Sequence, residues 1–125
     1  MKQFLLVAAG GAVGASMRHL VNLASLRLLG PAFPWGTLTV NIVGSFCMGL
    51  FVEWMARRYG TSAEVRAFIA IGVLGGFTTF SAFSLDVATI WERGANVQAS
   101  LYIAASVVGA IAALFAGLWL ARALF

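Results

Sequence analysis

GVLGGFTTFSAFSLD, residues 72–86, places three glycines, four hydroxyl side chains and one carboxylate inside an otherwise apolar part of the chain. Glycines followed by β-branched threonines make a poor helix interior, so Gly75 and Gly76 are predicted to break a helix near residues 75–79. At membrane depth, the backbone groups that such a break frees are tolerated only where protein, an ion or water satisfies them. Freed carbonyl groups favour a cation and helix N-terminal amides favour an anion, so the stretch predicts a polar site of one of these two kinds.

The composition of the whole chain predicts an all-α integral membrane protein. Of its 125 residues, 62% are hydrophobic and 10% are charged, against about 45–50% and about 25% in globular domains, and the mean hydropathy is +0.96. Backbone groups in lipid must pair within a segment, and nothing alternates like a barrel strand, so each span is predicted to be a helix. A span needs about 20 mostly apolar residues, which divides a single transmembrane domain, residues 1–125, into four spans: about 4–29, 36–56, 67–91 and 99–120.

The segment boundaries carry recognisable signals. Residues 1–16 resemble a secretory signal, but the apolar pattern resumes beyond Arg18, which favours a first span. A Pro/Gly turn at 30–36 separates the first two spans. The polar loop 57–66 precedes the third helix, which Thr61 or Ser62 is expected to cap.

The charged and reactive residues exclude several functions. The net charge is +4 and the pI is about 10.3, but the Lys and Arg residues stand at segment ends and form no patch, so they indicate interfacial anchors and no nucleic-acid partner. Cys47 and His19 are each the only residue of their kind. A disulfide, a thiolate or histidine metal cluster and a Cys–His nucleophile are therefore excluded within one chain, and no enzyme is expected.

The distribution of positive charge leaves the orientation of the chain open. With four spans, both termini lie on one side of the membrane, together with five of the basic residues: Lys2, Arg57, Arg58, Arg66 and Arg122. The other side has Arg27 and Arg93, and Arg18 if that residue lies near the interface. Five against three is a weak positive-inside bias, so we expect insertion in both orientations and an antiparallel homodimer.

Polar residues recur at helical spacing within the second and fourth spans. Thr37, Asn41 and Ser45 share one helix face, and Asn41 is either interhelical glue or a donor that lines a site. Tyr102 and Ser106 share a face of the fourth span, where the tyrosine is either an aromatic-belt residue or part of a polar lining.

Small residues at the same spacing predict close helix packing. Gly10 and Gly14 stand four apart in the first span, and Gly109, Ala113 and Gly117 form a small-xxx-small series in the fourth. The G-x-G-x-x-G order of a dinucleotide site is absent.

Beyond the predicted break, Phe80, Phe83 and Ser84 fall on one helix face. Core packing is the ordinary explanation for such aromatics, but it does not explain the hydroxyls between them. Aromatic rings have an electropositive edge. Two phenylalanine edges, several hydroxyls and the Asn41 amide make a lining of donors without full charge, which suits a small, strongly hydrated anion. Asp86 is expected at a wet end of its helix or paired with an arginine.

These residues lie in segments that resemble the Fluc (CrcB) fluoride channels over nearly the full length of the chain. The resemblance rests on GGAVGASMR (10–18), WGTLTVNIVGSFCMG (35–49), GVLGGFTTFSAFS (72–84) and YIAASVVGA (102–110). Family members are dual-topology antiparallel homodimers with two fluoride pores. The resemblance implies a passive, fluoride-selective channel in a bacterial or archaeal inner membrane, which exports fluoride and lowers its cytoplasmic concentration.

The resemblance also implies roles for individual residues. Asn41 lines the pore, and the ring edges of Phe80 and Phe83 face fluoride. The backbone carbonyls of Gly75 and Thr78 match positions that hold a structural Na⁺ at the dimer centre. The remaining matches are the polar track and a family arginine: Ser81, Ser84, Tyr102, Ser106 and Arg18.

Three positions depart from the family pattern. Ala82 stands where Thr is common, Asp86 replaces the usual Glu, and Ala110 replaces a common Ser. These changes affect the polar track and hence the conduction rate more than the function.

Two other classes of protein fit a chain with four spans. A small multidrug exporter needs a carboxylate in mid-membrane, but the first span has none and the acidic residues lie near segment ends. An assembly subunit built on the small-xxx-small faces would leave Asn41 and the hydroxyls of 78–84 unexplained.

Overall fold

The computed structural model describes residues 1–58 and 62–125, and the described residues contain helices and no strand. Within these ranges, the prediction of four long apolar helices is confirmed: Lys2–Leu29, Trp35–Arg58, Ala63–Glu92 and Asn96–Leu124 are each long and apolar enough to cross a membrane. The chain is thus a multi-pass α-helical membrane protein.

Three of the spans are continuous helices and the third is divided. The continuous helices are α1 (Lys2–Leu29), α2 (Trp35–Arg58) and α6 (Asn96–Leu124). The third span consists of α3 (Ala63–Val65), a π-helical segment (Arg66–Leu74), α4 (Gly75–Phe77) and, after a break, α5 (Phe80–Glu92).

The helix ends follow from local chemistry. The Ser62 hydroxyl accepts a hydrogen bond from the Val65 N–H at 3.4 Å and caps α3, as expected; Thr61 lies outside the described residues. Gly30 ends α1 with φ of 78°, and Gly94 has φ of 85° in the turn before α6. Both are left-handed conformations that glycine adopts without steric cost.

The break in the third span lies within the predicted window but not at the predicted residues. Gly75 is helical, with φ of −63° and ψ of −38°. The chain is extended at Thr78 (φ −87°, ψ 156°) and Thr79 (φ −154°, ψ 117°). The expectation that Gly75 and Gly76 break the helix is therefore wrong. The Thr79 hydroxyl accepts the Ala82 N–H at 3.1 Å and caps α5, which stabilises a new helix start directly after the break.

The glycines of this region serve packing instead. A Cβ on Gly76 would lie 2.7 Å from the Gly11 carbonyl oxygen, and a Cβ on Gly72 would lie 2.9 Å from the Gly10 Cα. A Cβ on Gly14 would overlap the Val73 carbonyl oxygen. The close packing predicted for the first span is confirmed, and its partner is the first half of the third span.

Helices α2 and α6 also pack closely against each other at glycine residues. A Cβ on Gly49 would overlap the Leu114 carbonyl oxygen, and one on Gly117 would overlap that of Phe46. A Cβ on Gly109 would lie 3.0 Å from the Ile42 Cδ1 atom. The small-residue series of the fourth span therefore packs within the chain.

Ion pairs join the spans at the end that carries both termini. Glu53 accepts from Arg57 Nε at 3.2 Å and from Arg122 Nε at 3.0 Å, and Lys2 Nζ lies 2.9 Å from Glu64 Oε1. These exposed contacts contribute little energy each, but they show which helix ends are neighbours.

Arg18 does not lie at an interface. Its Nε donates to the Gly76 carbonyl at 3.0 Å, close to the break in the third span. The expected balance of five basic residues against three therefore becomes five against two, with only Arg27 and Arg93 on the far side. A stronger positive-inside bias follows, so charge balance no longer argues for insertion in both orientations.

Candidate functional site

A cavity of about 320 Å³ lies beside the break, between α2, α5 and α6, and is called the central cavity below. Four of the predicted site side chains line it: Asn41, Phe80, Phe83 and Ser106. Its wall also includes Ser45, Thr78 and Thr79 and the apolar side chains Val107, Ala110 and Ile111. No lysine, arginine or carboxylate is among these described lining residues.

Asn41 holds the break in place with both ends of its amide. Its Oδ1 accepts the Thr79 N–H at 2.7 Å and its Nδ2 donates to the Thr79 carbonyl at 3.0 Å. The amide oxygen thus replaces the helical acceptor that the Thr79 N–H loses at the break, and the amide N–H adds a second bond to the same residue. Asn41 thus joins α2 to the break and also lies in the wall of the central cavity, and its role toward an ion stays a prediction.

Ser106 offers a polar group with no partner in the described part of the chain. The residue is 5% exposed, and its buried Oγ makes no hydrogen bond there. Leaving a buried hydroxyl unsatisfied costs about 1–3 kcal/mol. A polar species in the central cavity would relieve that cost, which marks Ser106 as a candidate binding group.

The two phenylalanines form one wall but differ in exposure. Their ring centroids are 5.4 Å apart with the planes tilted by 49°. Phe83 is 7% exposed, whereas Phe80 is 74% exposed and faces out of the single chain. Only Phe83 is therefore fixed by packing within the chain.

Tyr102 is not an aromatic-belt residue. It is fully buried, its ring centroid lies 5.2 Å from that of Phe83, and its hydroxyl donates to Asp86 Oδ2 at 2.9 Å. Tyr102 lies behind Phe83 and is not among the residues that line the central cavity. Of the two expectations for Asp86, the arginine partner is replaced by the tyrosine hydroxyl, and the carboxylate lies in the cavity at the far end of the bundle.

Ser81 and Ser84 do not line the central cavity either. The Ser84 hydroxyl donates to the Phe80 carbonyl at 3.0 Å, and the Ser81 and Thr79 hydroxyls lie 3.2 Å apart. Both serines are exposed on the outer face of α5. Their hydroxyls are therefore partnered locally and stand beside the exposed Phe80 ring.

A second cavity, about 370 Å³ in volume, opens at the far end of the bundle and is called the end cavity. Its polar lining comprises Asn22, Ser25, Thr37, Asp86, Thr89 and Arg93. Sequence reasoning missed Asn22 and Thr89 as site residues, although a polar residue in an apolar span is itself a signal.

The polar stripe of α2 joins the two cavities. Thr37 lines the end cavity, and Asn41 and Ser45 line the central cavity one and two turns further on. Ser45 belongs to the predicted stripe but was not among the predicted site residues. A continuous row of hydrogen-bonding side chains thus leads from the far end of the bundle to the break.

The break also releases backbone carbonyls from their helical partners, among them those of Gly75 and Thr78. In a continuous helix, the Gly75 and Thr78 carbonyls would accept from the N–H groups of Thr79 and Ala82. Those donors instead bond to Asn41 Oδ1 and Thr79 Oγ1. Because the described residues contain no cluster of three or more metal-binding side chains, a cation here would depend on backbone oxygens.

The fold and the cavities define a class: a multi-pass helical membrane protein with an uncharged, donor-lined cavity at a break in one span. The family described as CrcB-like protein, Camphor Resistance (CrcB), matches residues 5–118, and the chain belongs to this family. It is 64% identical over 124 residues to a protein of Mesorhizobium japonicum named fluoride-specific ion channel FluC, covering 99% of each chain. Proteins with the same name from Chelativorans sp. (strain BNC1) and Agrobacterium fabrum are 61% and 59% identical, with at least 99% of each chain covered.

Proposed function

We propose that this protein is a fluoride-selective passive ion channel, which exports fluoride and lowers its cytoplasmic concentration. Relatives of the same length that are 59–64% identical carry the name of that function. The structural observation that carries the proposal is the central cavity, which combines an asparagine amide, serine hydroxyls and phenylalanine rings without a fixed charge.

The chemistry of the cavity suits fluoride because donors can replace water around the anion. Ser45 and Ser106 supply hydroxyl donors, and the buried Phe83 ring supplies an electropositive edge. A lysine or arginine would hold the ion more tightly, whereas conduction requires binding weak enough for the ion to leave. The polar stripe and the end cavity give a hydrated route toward the break.

The two alternative classes are less well supported. A proton-coupled multidrug exporter needs a titratable carboxylate at its binding site, but no carboxylate is among the described residues that line the central cavity. Glu53 is paired with two arginines at the end of the bundle, and Asp86 lies in the end cavity, where it accepts from the Tyr102 hydroxyl. An assembly subunit would have no use for the unpartnered Ser106 hydroxyl. Neither class accounts for the donor-lined central cavity.

Liposomes that contain only this protein are expected to release fluoride passively and selectively. An ion-selective electrode follows efflux after a K⁺-valinomycin shunt removes the membrane potential, with chloride-loaded and drug-cation-loaded vesicles as controls. Fluoride is expected to leave at least about a hundredfold faster than chloride. This ratio of rates corresponds to a difference of about 2.7 kcal/mol between the two ions. Equal chloride flux, or efflux that requires a proton gradient, would contradict the channel assignment.

The working unit is proposed to be an antiparallel homodimer with chains in both orientations. The outer face of α5, where Phe80, Ser81 and Ser84 are exposed at the depth of the break, supports a second chain; the antiparallel orientation rests on the resemblance to the CrcB fluoride channels. Polar side chains at that depth seldom face lipid and usually meet protein or a water-filled cavity. A second chain packed on this face would enclose Phe80 and complete the wall of the central cavity.

Tagging tests this arrangement. A C-terminal tag is expected to be accessible from both sides of the membrane in comparable amounts, as measured by protease protection in right-side-out and inverted vesicles. Five basic residues on the side of the termini against two on the other side favour a single orientation. Finding both orientations in comparable amounts would therefore be a stringent test of the antiparallel dimer. Finding every C-terminus on one side would refute the antiparallel dimer.

A structural Na⁺ is proposed at the centre of the dimer, held by the backbone carbonyls of Gly75 and Thr78 from both chains. Gly75 is exposed, and both carbonyls have lost their helical donors, so the residues fit a hard cation that prefers oxygen ligands. When bound, the ion supplies positive charge that links the paired breaks. The site lies between the pores, so the cation is structural and is not transported.

Exhaustive exchange into sodium-free buffer is expected to lower fluoride flux, because the unsatisfied carbonyls cost several kcal/mol each in hydrocarbon. The exchange must be long enough for a buried ion to leave. Flux is expected to return on addition of Na⁺ but not of N-methylglucamine. Full activity without sodium would rule out the proposed role.

The proposed location is the inner membrane of a bacterial or archaeal cell. The relatives named above are bacterial, and the four apolar helices of the described residues suit a bilayer. A channel that clears the cytoplasm of fluoride would act in this membrane.

A further inference from the structure

An apolar groove of about 410 Å³ lies between α2 and α6 at the end of the bundle that carries the C-terminus. It is called the terminal groove here and is lined by Cys47, Leu50, Phe51, Trp54, Leu120, Leu124 and Phe125. It plays no part in the proposed ion pathway, because it shares no lining residue with either of the other cavities. Its walls are aliphatic and aromatic, which suits a hydrocarbon chain and not an ion.

A guanidinium stands at one end of the terminal groove. The Arg58 Cζ lies 5.5 Å from the centroid of the Phe125 ring, which is itself part of the groove. The neighbouring Arg57 and Arg122 share one carboxylate, that of Glu53, which offsets one of their two positive charges. Arg58 has no carboxylate partner in the described part of the chain, so its charge is available at the groove mouth.

The terminal groove is apolar and ends at an arginine that has no carboxylate partner in the described residues. This combination matches the chemistry of an anionic phospholipid. Guanidinium groups bind phosphate through paired N–H donors, and basic residues beside membrane helices attract anionic lipids. Trp54 in the groove is an amphipathic ring of the kind that settles at the membrane interface. We propose that the terminal groove binds the acyl chain of an anionic phospholipid while Arg58 binds the head-group phosphate.

Trp54 provides a direct test by fluorescence quenching. Trp35, Trp91 and Trp119 are exposed, so a W35F/W91F/W119F variant keeps Trp54 as its single tryptophan without disturbing the core. This variant is placed in phosphatidylcholine vesicles that contain a few mole per cent of phosphatidylglycerol with brominated chains. The reference vesicles contain the same amount of phosphatidylcholine with brominated chains.

Brominated phosphatidylglycerol is expected to occupy the groove about fivefold more than brominated phosphatidylcholine, which is the factor for one arginine near an anionic lipid. In the same background, R58Q is expected to remove this preference, and R58K to retain most of it. R66Q is the matched control, because it removes an equal charge from the same end of the bundle, and Arg66 does not line the groove but lines a small neighbouring pocket with Phe51, Met55 and Ala70.

Three outcomes would overturn the proposal. Equal quenching by the two lipids would remove the charge selectivity. An equal loss of preference in R66Q and R58Q would reduce the effect to general electrostatic attraction. Rapid disulfide cross-linking through Cys47, the only cysteine in the chain, would show that a second copy of the protein fills the groove instead of a lipid.

Discussion

Replacing Asn41 by aspartate is expected to reduce fluoride flux by two orders of magnitude or more. The carboxylate can still accept the Thr79 N–H, but it presents an oxygen to the Thr79 carbonyl where the amide donates at 3.0 Å. It also adds negative charge to the central cavity. Two like charges about 4 Å apart repel by about 4 kcal/mol at an effective dielectric constant near 20, so an anion is strongly disfavoured there.

Efflux from liposomes measures the effect, and size-exclusion chromatography checks that the variant assembles as the wild type does. Asn96→Asp is the matched control, since it makes the same chemical exchange at an exposed position where α6 begins. Wild-type flux in correctly assembled Asn41→Asp would show that Asn41 only joins helices and does not influence the ion path.

Replacing Arg18 by leucine is expected to destabilise the protein by about 1–3 kcal/mol, the cost of leaving one buried hydrogen-bonding group unsatisfied. The Gly76 carbonyl would normally accept from the N–H of Phe80, but the break intervenes, and Arg18 Nε takes over at 3.0 Å. Leucine is apolar and suits hydrocarbon, but it is shorter than arginine and provides no donor.

Thermal unfolding in detergent measures this loss. Arg18→Lys restores a donor and is expected to recover part of the stability. Arg27→Leu removes an exposed arginine from the same helix and is expected to have little effect. Because a charge within a span is itself costly, an increase in stability of Arg18→Leu would mean that the bond to Gly76 does not offset that cost.

The architecture could be predicted because hydrocarbon leaves so few choices. A chain this apolar must satisfy its backbone within each span, so composition alone leads to helices. The approximate position of the break, residues 75–79, could also be predicted from the sequence, because glycines and β-branched residues weaken a helix wherever they occur. Its exact position could not, since Gly76 is needed for contact with Gly11 and the cap on α5 comes from Thr79.

The site was predicted in part, for a similar reason. Helical spacing assigns residues to a face, but it does not say which neighbour that face meets. Asn41 and Ser106, both predicted to lie on an ion path, line the central cavity. Tyr102 shares a predicted face with Ser106, yet its hydroxyl turns to Asp86 behind the Phe83 ring. The packing of α5 against α6 thus directs the tyrosine hydroxyl to Asp86, although Ser106 lies close to it.

The bonds that hold the break have a consequence for how the chain is made. A broken span cannot rest alone in a bilayer, because its free carbonyl and N–H groups find no partner there. Its two side-chain partners, Arg18 and Asn41, lie in α1 and α2. Since synthesis proceeds from the N-terminus, both leave the ribosome before residues 63–92 do. The order of the helices along the sequence thus ensures that the hydrogen-bond partners of the third span are synthesised before the span itself.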